Sequence, residues 1–293
     1  MPLTEYIAKA ETLIEALPYI QSFRDATVVV KVGGSAMENR TQMRSILHDI
    51  AFMWTVGMRP VVVHGGGKAI SRGMAKAGVA TEFVQGLRVT CAESIKIVEQ
   101  VIKHEVNADI VASLREFDTR AEPLYGERIF HVHRKQGQDP VTGARLDWGF
   151  VGEPAACDTG PVLEMQHRGI VPVICPLGTG DDEQLYNINA DNAAAALAKA
   201  LRARKLAFVS DVPGLLRDPS DPMSLIATLK VDDAPGLVRE GVVGGGMLPK
   251  IQSCVDAIRA GVGKVHMVDG RMAHSLLLEI FTRTGVGTEI IGS

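Results

Sequence analysis

The amino-acid sequence predicts an α/β protein with an open, mostly parallel, doubly wound sheet flanked by helices. Three observations support this prediction. Short runs of β-branched residues are continuous rather than alternating, which is typical of strands covered on both faces. Between these runs, apolar residues recur at every third or fourth position, the period of amphipathic helices. Glycine, at 30 of 293 residues, clusters where the runs end, as expected for strand-to-helix turns.

The individual elements follow from these patterns. Strands are expected at residues 28–32, 61–64, 170–175, 206–210 and 265–268. Helices are expected around residues 43–54 and 194–201, and a further helix is expected to begin near Lys68. Strands that alternate with helices along a chain favour a parallel sheet.

The first 24 residues precede the first predicted strand and carry a helical apolar stripe. Its members are Tyr6, Ala10, Leu13, Ile14 and Leu17. Pro18 follows directly and is expected to end this helix. Two interpretations stay open: the helix packs on its own lobe, or it is an arm that buries its stripe against another subunit.

Two segments interrupt the alternation of strands and helices. Residues 119–153 are rich in turn residues and are expected to form β-hairpins or a flap between two lobes. Residues 211–240 contain two Asp-Pro pairs, which mark loops. The sequence therefore predicts three parts, namely an N-terminal helical arm (1–24), an N-terminal lobe (25–185) and a C-terminal lobe (186–293).

The charge balance and the cysteines exclude several classes of protein. Lys and Arg number 31 and Asp and Glu 34, a net charge of −3, which argues against binding nucleic acid or anionic lipid through bulk charge. No apolar run approaches the roughly 18 residues that span a bilayer, and no secretory signal is recognisable. The four widely spaced cysteines favour a reducing compartment. We expect a cytoplasmic enzyme with neither nucleic-acid nor membrane partners.

Three glycine clusters predict a binding site for a polyphosphate. A backbone can approach a phosphate where no Cβ intervenes, and a helix N-terminus supplies N–H donors. Gly33-Gly34 follows Lys31 at the end of the first predicted strand, and Gly65–Gly67 ends the second. Gly244–Gly246 precedes the helix that carries Lys250. The P-loop and dinucleotide-binding motifs are absent, so the predicted site has another design.

His131 and His133 lie on one face of a predicted strand. The chain offers no third ligand at a spacing typical of metal sites. The sequence therefore predicts no metal site in the protein.

Six strings occur in an order that resembles a known family: KVGG (31–34), HGGG (64–67), GLRVT (86–90), YNINAD (186–191), SDVPGLL (210–216) and GGGMLPK (244–250). They resemble the amino-acid kinase superfamily and, more narrowly, the N-acetyl-L-glutamate kinase family, from about Leu17 to Ile291. The resemblance implies the amino-acid kinase fold. It also implies phosphorylation of the γ-carboxylate of N-acetyl-L-glutamate by ATP, with Mg²⁺ held mainly through the nucleotide phosphates.

The resemblance assigns a role to each matching residue. Lys31 and Lys250 match two lysines that stabilise the transferring phosphoryl group, and Asp191 matches the aspartate that orients both. The implied acceptor-binding residues are Gly66, Gly67, Arg88 and Asn187, and the implied ATP-binding residues are Gly33, Gly34, Ser210, Asp211 and Leu215.

The chemistry of these residues agrees with that reaction. A carboxylate acceptor with a pKa of about 4.3 is ionised at neutral pH and needs no general base, so an aspartate can serve as organiser. Two ammonium groups offset the charge on the transferred phosphoryl oxygens. An arginine such as Arg88 suits a bidentate clamp on the acceptor's α-carboxylate.

Some positions depart from the family pattern. Lys68 stands where a proline is common and Cys91 where an acidic residue is common, and residues 115–130 lack the usual GLSGKD-like stretch. Two alternatives therefore stay open. One is a kinase for a related acceptor of the N-acetyl-aminoadipate type, and the other is a non-catalytic arginine sensor with the same fold.

The resemblance also implies assembly and regulation. Family members with an N-terminal helix tend to form hexamers, as rings of dimers, and are often inhibited by L-arginine. Residues 274–288 resemble the arginine-site segment. The candidate effector residues are Tyr19, Glu279, Gly285 and Gly287, since a carboxylate can pair with a guanidinium. We expect a homo-oligomer, either a dimer or a hexamer formed through the N-terminal helices.

Overall fold

The computed structural model describes residues 3–139, 142–282 and 285–293. Residues 140 and 141 of the predicted hairpin segment, and residues 283 and 284 of the arginine-site segment, lie outside this description. The strands are β1 (Thr27–Val32), β2 (Arg59–His64), β3 (Phe83–Val84), β4 (Leu87–Arg88), β5 (Ala121–Leu124), β6 (Phe130–Gln138), β7 (Arg145–Cys157), β8 (Val171–Ile174), β9 (Leu177–Gly180), β10 (Leu185–Ile188), β11 (Lys205–Ser210), β12 (Thr228–Lys230), β13 (Lys264–Asp269) and β14 (Thr288–Ile291).

The α-helices are α1 (Leu3–Phe23), α2 (Arg40–Thr55), α3 (Gly67–Lys76), α4 (Ala92–Gln100), α5 (Ala108–Arg115), α6 (Gly160–His167), α7 (Ala190–Ala200), α8 (Ala234–Arg239), α9 (Met247–Arg259) and α10 (Ser275–Phe281). A π-helical segment, Val101–Asn107, joins α4 to α5. None of the helices in the described ranges is both long and apolar enough to cross a bilayer.

Eight strands form one sheet in the order β12, β14, β13, β11, β1, β2, β8, β5. Neighbouring strands are parallel except for the β13–β14 pair. The five apolar runs of the sequence form five adjacent strands in the middle of this sheet (β13, β11, β1, β2 and β8), so the predicted α/β sheet is confirmed. β1 pairs with β11 and thereby joins strands from the first and second halves of the chain.

Helices cover both faces of this sheet, and its central strands are therefore buried on both sides. One apolar cluster holds Val28 and Val30 of β1 together with residues of α2 and α10. The other holds Val29 together with residues of α7 and α9. Successive strand residues point to opposite faces, so β1 is the central strand of a doubly wound arrangement.

The segment 119–153 contains a predicted antiparallel hairpin but differs from the prediction in other respects. Ala121–Leu124 is an edge strand of the large sheet, parallel to β8, and not part of a hairpin; its Pro123 is tolerated because an edge strand has one unpaired side. The antiparallel pair β6–β7 is present, but it closes a small barrel with β9 and β10 instead of forming a flap. Residues 211–240 contain the predicted loops and also the short elements β12 and α8.

The prediction that Pro18 ends the first helix is wrong, because α1 continues to Phe23. The carbonyl that loses its donor belongs to Ile14, which is 67% exposed, so water can replace the missing hydrogen bond. The end of α1 packs on the chain, where Phe23 is buried and meets Phe281 edge-to-face at 6.2 Å. The large stripe residues Tyr6, Leu13, Ile14 and Leu17 are exposed in the single chain.

Candidate functional site

The alternation of side chains along β1 sets the direction of Lys31. Lys31 lies two residues after Val29 in β1, so both side chains point to the same face of the sheet. This face carries α7 and α9. Its side chain is only 10% exposed. A buried ammonium is costly unless it finds a partner, and the N-terminus of α7 supplies one.

That partner is Asp191, which contacts two lysines. Lys31 Nζ lies 2.8 Å from Asp191 Oδ1, and Lys250 Nζ donates to Asp191 Oδ2 at 2.6 Å. Asp191 lies in the first turn of α7, where the Asn189 side chain accepts hydrogen bonds from the N–H groups of Asp191 and Asn192. Lys250 extends from the first turn of α9. Two ammonium groups far apart in sequence thus meet at one carboxylate.

The charges of these lysines fix the protonation state of Asp191. Burial alone would raise the pKa of its carboxyl group, but the positive charges of Lys31 and Lys250 and their hydrogen bonds outweigh burial and lower the pKa from 3.8 to about 2. The carboxylate is therefore ionised at neutral pH. With both oxygens engaged and so low a pKa, it is a poor proton acceptor and a good anchor for two ammonium groups.

A cavity of about 230 Å³ opens beside this lysine–aspartate cluster at the carboxyl edge of the sheet. Parallel α/β sheets bind ligands at that edge. Besides Lys31, its lining includes these predicted site residues: Gly33, Gly34, Gly66, Gly67, Arg88 and Asn187. A cavity of about 440 Å³ lined by Asp191 and Lys250 shares Asn189 with it. The structure thus brings the predicted catalytic and acceptor-side residues to one region.

Close packing leaves little room for a Cβ at Gly33 and Gly66, whereas the third loop is open. A Cβ on Gly33 would overlap the Lys31 ammonium group, and a Cβ on Gly66 would overlap the Ile102 side chain. A Cβ on any residue of Gly244–Gly246 would meet nothing within 4 Å. The third loop therefore leaves open space at the start of the helix that carries Lys250.

His64 is a site residue that sequence reasoning missed. Its ring is fully buried, with Nδ1 2.8 Å from the carbonyl of Gly65 and Nε2 3.0 Å from Nδ2 of Asn107. Burial lowers the pKa of His64 to about 4. A neutral ring that donates from Nδ1 and accepts at Nε2 satisfies both contacts, and it holds the glycine loop in place. The HGGG string contained the histidine, but its partner Asn107 ends a π-helical segment that no pattern revealed.

The guanidinium of Arg88 is held by the chain itself. Its Nη2 donates to the carbonyl of Gly67 and to Ser71 Oγ, both at 2.8 Å, and its Nη1 donates to Thr81 Oγ1 at 3.3 Å. Burial lowers the pKa of this arginine, yet a guanidinium remains charged at neutral pH. Arg88 therefore brings a fixed positive charge to the wall of the 230 Å³ cavity.

The residues predicted for the nucleotide side are not all brought together. Asp211 accepts a hydrogen bond from the N–H of Ser35 at 3.3 Å and lines a third cavity, of about 310 Å³, beside the first two glycine loops. Ser210 is buried at the end of β11. Leu215 is 2% exposed, and its N–H donates to Thr288 Oγ1 at 2.8 Å. The structure thus places Asp211 near the loops and the other two residues in the interior.

A separate cavity of about 590 Å³ lies between the end of α1 and α10. Three of the predicted effector residues, Tyr19, Glu279 and Gly285, line it. The fourth, Gly287, donates its N–H to Glu279 Oε2 at 2.9 Å. The four candidates therefore lie together, away from the lysine–aspartate cluster.

This cavity also contains charged groups that sequence reasoning missed. Lys205 Nζ lies 3.1 Å from His266 Nε2, and His266 Nδ1 lies 2.7 Å from Glu279 Oε1. Burial lowers the pKa of Lys205 to about 8. Burial would raise the pKa of Glu279, but its hydrogen bonds to His266 and to two backbone N–H groups lower it. An ionised carboxylate and an ammonium group in one cavity suit a ligand with charges of both signs.

Comparison with known proteins identifies the family. The model of the Amino acid kinase family matches residues 26–269. The chain is 46% identical to an acetylglutamate kinase of Heliobacterium modesticaldum, over 97% of this chain and 98% of the relative. It is 43% identical to an acetylglutamate kinase of Methanobrevibacter smithii, over 95% and 97%.

Solved structures agree with these matches. N-acetylglutamate synthase from Neisseria gonorrhoeae, complexed with coenzyme A and N-acetyl-glutamate, has a TM-score of 0.84 and 27% identity. The match covers 97% of this chain but 63% of that one. The same enzyme complexed with coenzyme A and L-arginine has a TM-score of 0.80 and 25% identity, over 96% of this chain and 65% of that one. From its sequence and its architecture together, this chain belongs to the amino acid kinase family, in the branch of the acetylglutamate kinases.

Proposed function

We propose that this chain transfers the terminal phosphoryl group of ATP to the γ-carboxylate of N-acetyl-L-glutamate, forming N-acetylglutamyl 5-phosphate in arginine biosynthesis. The observation that carries the proposal is the convergence of Lys31 and Lys250 on Asp191 beside the glycine loops. The names of relatives that match nearly the whole chain support the acceptor.

The chain's residues can perform this transfer by alignment and neutralisation of charge. An acceptor carboxylate is already ionised at neutral pH and needs no base, which agrees with an Asp191 whose pKa is about 2. Lys31 and Lys250 would meet the growing charge on the phosphoryl oxygens from two sides. Asp191 holds both amines in advance, so that little reorganisation is needed in the transition state.

The cavities suggest where each substrate lies. Arg88 and Asn187, on the wall of the 230 Å³ cavity, would hold the acceptor, with the backbone of Gly66 and Gly67 near its γ-carboxylate. The phosphates would lie near the first glycine loop, because Gly33 and Gly34 line the same cavity as Lys31.

The nucleotide side would use the remaining predicted residues. Gly34 and Asp211, which line the 310 Å³ cavity, would face the nucleotide. Ser210 and Leu215 are buried and would support that side from the interior. Mg²⁺ would be held mainly through the phosphates. When bound, Mg²⁺ neutralises phosphate charge. In this arrangement residues 25–185 form the acceptor lobe and residues 186–293 the nucleotide lobe.

A panel of acceptors tests the proposal. The protein is incubated with Mg-ATP and hydroxylamine, which traps acyl phosphates as coloured hydroxamates, and with N-acetylglutamate, N-acetyl-aminoadipate, glutamate or aspartate. Product with N-acetylglutamate well above the others supports the proposal. Preference for N-acetyl-aminoadipate would assign the related acceptor, and no product with any acceptor would favour a non-catalytic sensor.

We further propose that L-arginine binds the 590 Å³ cavity and inhibits the enzyme. Glu279 offers a carboxylate for the guanidinium, and Lys205 offers an ammonium for the α-carboxylate. The N. gonorrhoeae synthase complexed with L-arginine is a relative in which this ligand is bound. Inhibition of the wild type by arginine that is lost in Glu279→Gln would support the site, whereas equal inhibition of both proteins would contradict it.

The exposed stripe of α1 supports a homo-oligomer, either a dimer or a hexamer. Tyr6, Leu13 and Ile14 are more than half exposed, and burying the remaining exposed area against a second copy would contribute about 1–2 kcal/mol for each side chain. Sedimentation of the full chain and of a variant lacking residues 1–24 tests this role. An unchanged particle size would remove it. We place the protein in the cytoplasm, in line with its four free cysteines.

A further inference from the structure

Three side chains on the small barrel converge on one point, away from the lysine–aspartate cluster. His131 and His133 lie two positions apart on β6 and therefore point to the same face. Asp181 directly follows β9, which runs parallel to β6 with Val132 opposite Gly180. His131 Nε2 lies 2.8 Å from Asp181 Oδ1, and His133 Nδ1 lies 3.0 Å from Asp181 Oδ2.

Strand pairing and turn hydrogen bonds position the backbone that carries these groups. β6 pairs with β7 on one side and with β9 on the other, inside a closed barrel. Asp181 occupies a tight turn, in which Gly180 N–H donates to the Gln184 carbonyl at 2.9 Å and Glu183 N–H donates to the Gly180 carbonyl at 3.0 Å. The next carboxylate, Asp182, is engaged by the hydroxyl of Tyr186. The three groups are thus held together by strand pairing and the turn.

We propose that His131, His133 and Asp181 bind a divalent transition-metal ion such as Zn²⁺. Two imidazole nitrogens and one carboxylate oxygen are a donor set that suits Zn²⁺, Co²⁺, Ni²⁺ and Cu²⁺, whereas Mg²⁺ and Ca²⁺ prefer oxygen ligands. The donor atoms lie within 4.8 Å of one another. Tetrahedral zinc, with bonds of about 2.0–2.1 Å, needs its ligands about 3.3 Å apart, which rotation of these exposed side chains can supply.

The sequence alone predicts no metal here, because it shows no third ligand at a typical spacing. Asp181 lies about 50 residues beyond the histidine pair, a distance that no motif spans, and only the parallel pairing of β6 with β9 brings it near. The remaining coordination positions would be taken by water, since all three side chains are exposed.

Metal at this position would tie β6 to the turn before β10. Strand β10 carries Asn187, which lines the 230 Å³ cavity. The proposed ion is distinct from the Mg²⁺ that accompanies ATP, because it binds protein nitrogen and needs no nucleotide.

Titration of the full-length protein with Zn²⁺ at pH 7.5, without nucleotide, tests the proposal. Isothermal titration calorimetry should give one Zn²⁺ per chain, with a dissociation constant in the micromolar range or below. His131→Ala and Asp181→Ala should each weaken binding at least tenfold. His167→Ala, which removes an exposed histidine outside the cluster, should leave the constant unchanged.

Co²⁺ supplies a second readout, because its visible absorption reports the ligands and geometry of the bound ion. Its visible absorption should change in the wild type and in His167→Ala, but not in the double variant His131→Ala/His133→Ala. Unchanged circular dichroism of that variant establishes that it folds. Zn²⁺ binding that persists in the double variant, or less than half an ion per wild-type chain, would overturn the proposal. Because neither measurement involves ATP or acceptor, the result is independent of the kinase assay.

Discussion

Replacing Asp191 with asparagine removes the carboxylate that Lys31 and Lys250 both contact. Asparagine keeps the shape of the side chain, so the variant isolates the effect of the charge. Two mostly buried ammonium groups would then lie side by side with no carboxylate between them. We expect the variant to lose stability, and we expect turnover to fall because the two amines are no longer held in position.

The loss of stability can be estimated from the pKa of Asp191. Its fall from 3.8 to about 2, at about 1.4 kcal/mol per unit, corresponds to roughly 2 kcal/mol at neutral pH. Because the folded pKa lies below the unfolded one, this contribution is present above about pH 4 and is lost as the pH falls towards 2. Breaking a buried ion pair by removing one partner costs about 3–5 kcal/mol. Since Asp191 is 21% exposed, we expect a loss of about 2–4 kcal/mol.

Urea unfolding of a double-mutant cycle measures this energy. The four proteins are the wild type, Asp191→Asn, Lys250→Met and the double variant, compared at pH 7.5 and one protein concentration. Asp191→Asn should cost less than half as much in the Lys250→Met background as in the wild type. Glu183→Gln, which neutralises an exposed carboxylate, serves as control. Additivity of the two substitutions within about 0.5 kcal/mol would refute the argument that the charges interact.

Three further predictions concern single residues. Lys250→Ala should lower turnover by at least about 100-fold and change the KM for ATP by less than about tenfold in steady-state kinetics; equal losses in both would contradict a role in the transition state. Gly66→Ala should lower the free energy of unfolding by about 1–3 kcal/mol, because the new methyl overlaps buried Ile102. Gly67→Ala, with open space at its Cβ, should change it by less than about 0.5 kcal/mol, and equal effects in urea unfolding would count against this packing argument. The pKa of Lys205 is about 8 in the folded chain, below its value in the unfolded chain. Above pH 8 the amine is therefore mostly neutral in the folded chain but still protonated in the unfolded chain. Stability should therefore rise by about 2 kcal/mol between pH 7.5 and 9.5 relative to Lys205→Met, and identical pH profiles would contradict the low pKa.

The central strands were predictable because a strand that is buried on both faces needs a continuous run of apolar residues, which is visible in the local sequence. Runs such as Val28–Val32 are apolar except for Lys31, and each of the five runs forms a strand of the large sheet. The barrel strand β9 and the edge strand β5 of the large sheet lack this pattern. β9 contains two glycines in four residues, and β5 contains Pro123, so neither has the composition of a strand. Their pairing depends on partners distant in sequence.

The candidate site shows the same contrast between features of the local sequence and contacts between distant segments. Lys31 and Asp191 could be proposed from the sequence, because the KVGG and YNINAD strings that contain them resemble those of a known family and are local features. His64 could not be assigned a partner, since Asn107 reaches it through tertiary packing. Leu215 shows the opposite case, in which a residue inside a matching string is packed in the interior. Sequence motifs indicate which segments form a site, whereas tertiary packing determines which of their side chains face it.

The π-helical segment Val101–Asn107 restricts how this chain can change in length. A π-turn holds an additional residue compared with an α-turn, and each residue of a helix corresponds to about 100° of rotation. Deleting one residue from the segment would let α4 continue into α5 as a regular helix. It would also turn Asn107 away from His64 and release the glycine loop. Insertions and deletions between Ala92 and Arg115 should therefore be tolerated far less well than substitutions on the exposed side of the same helix.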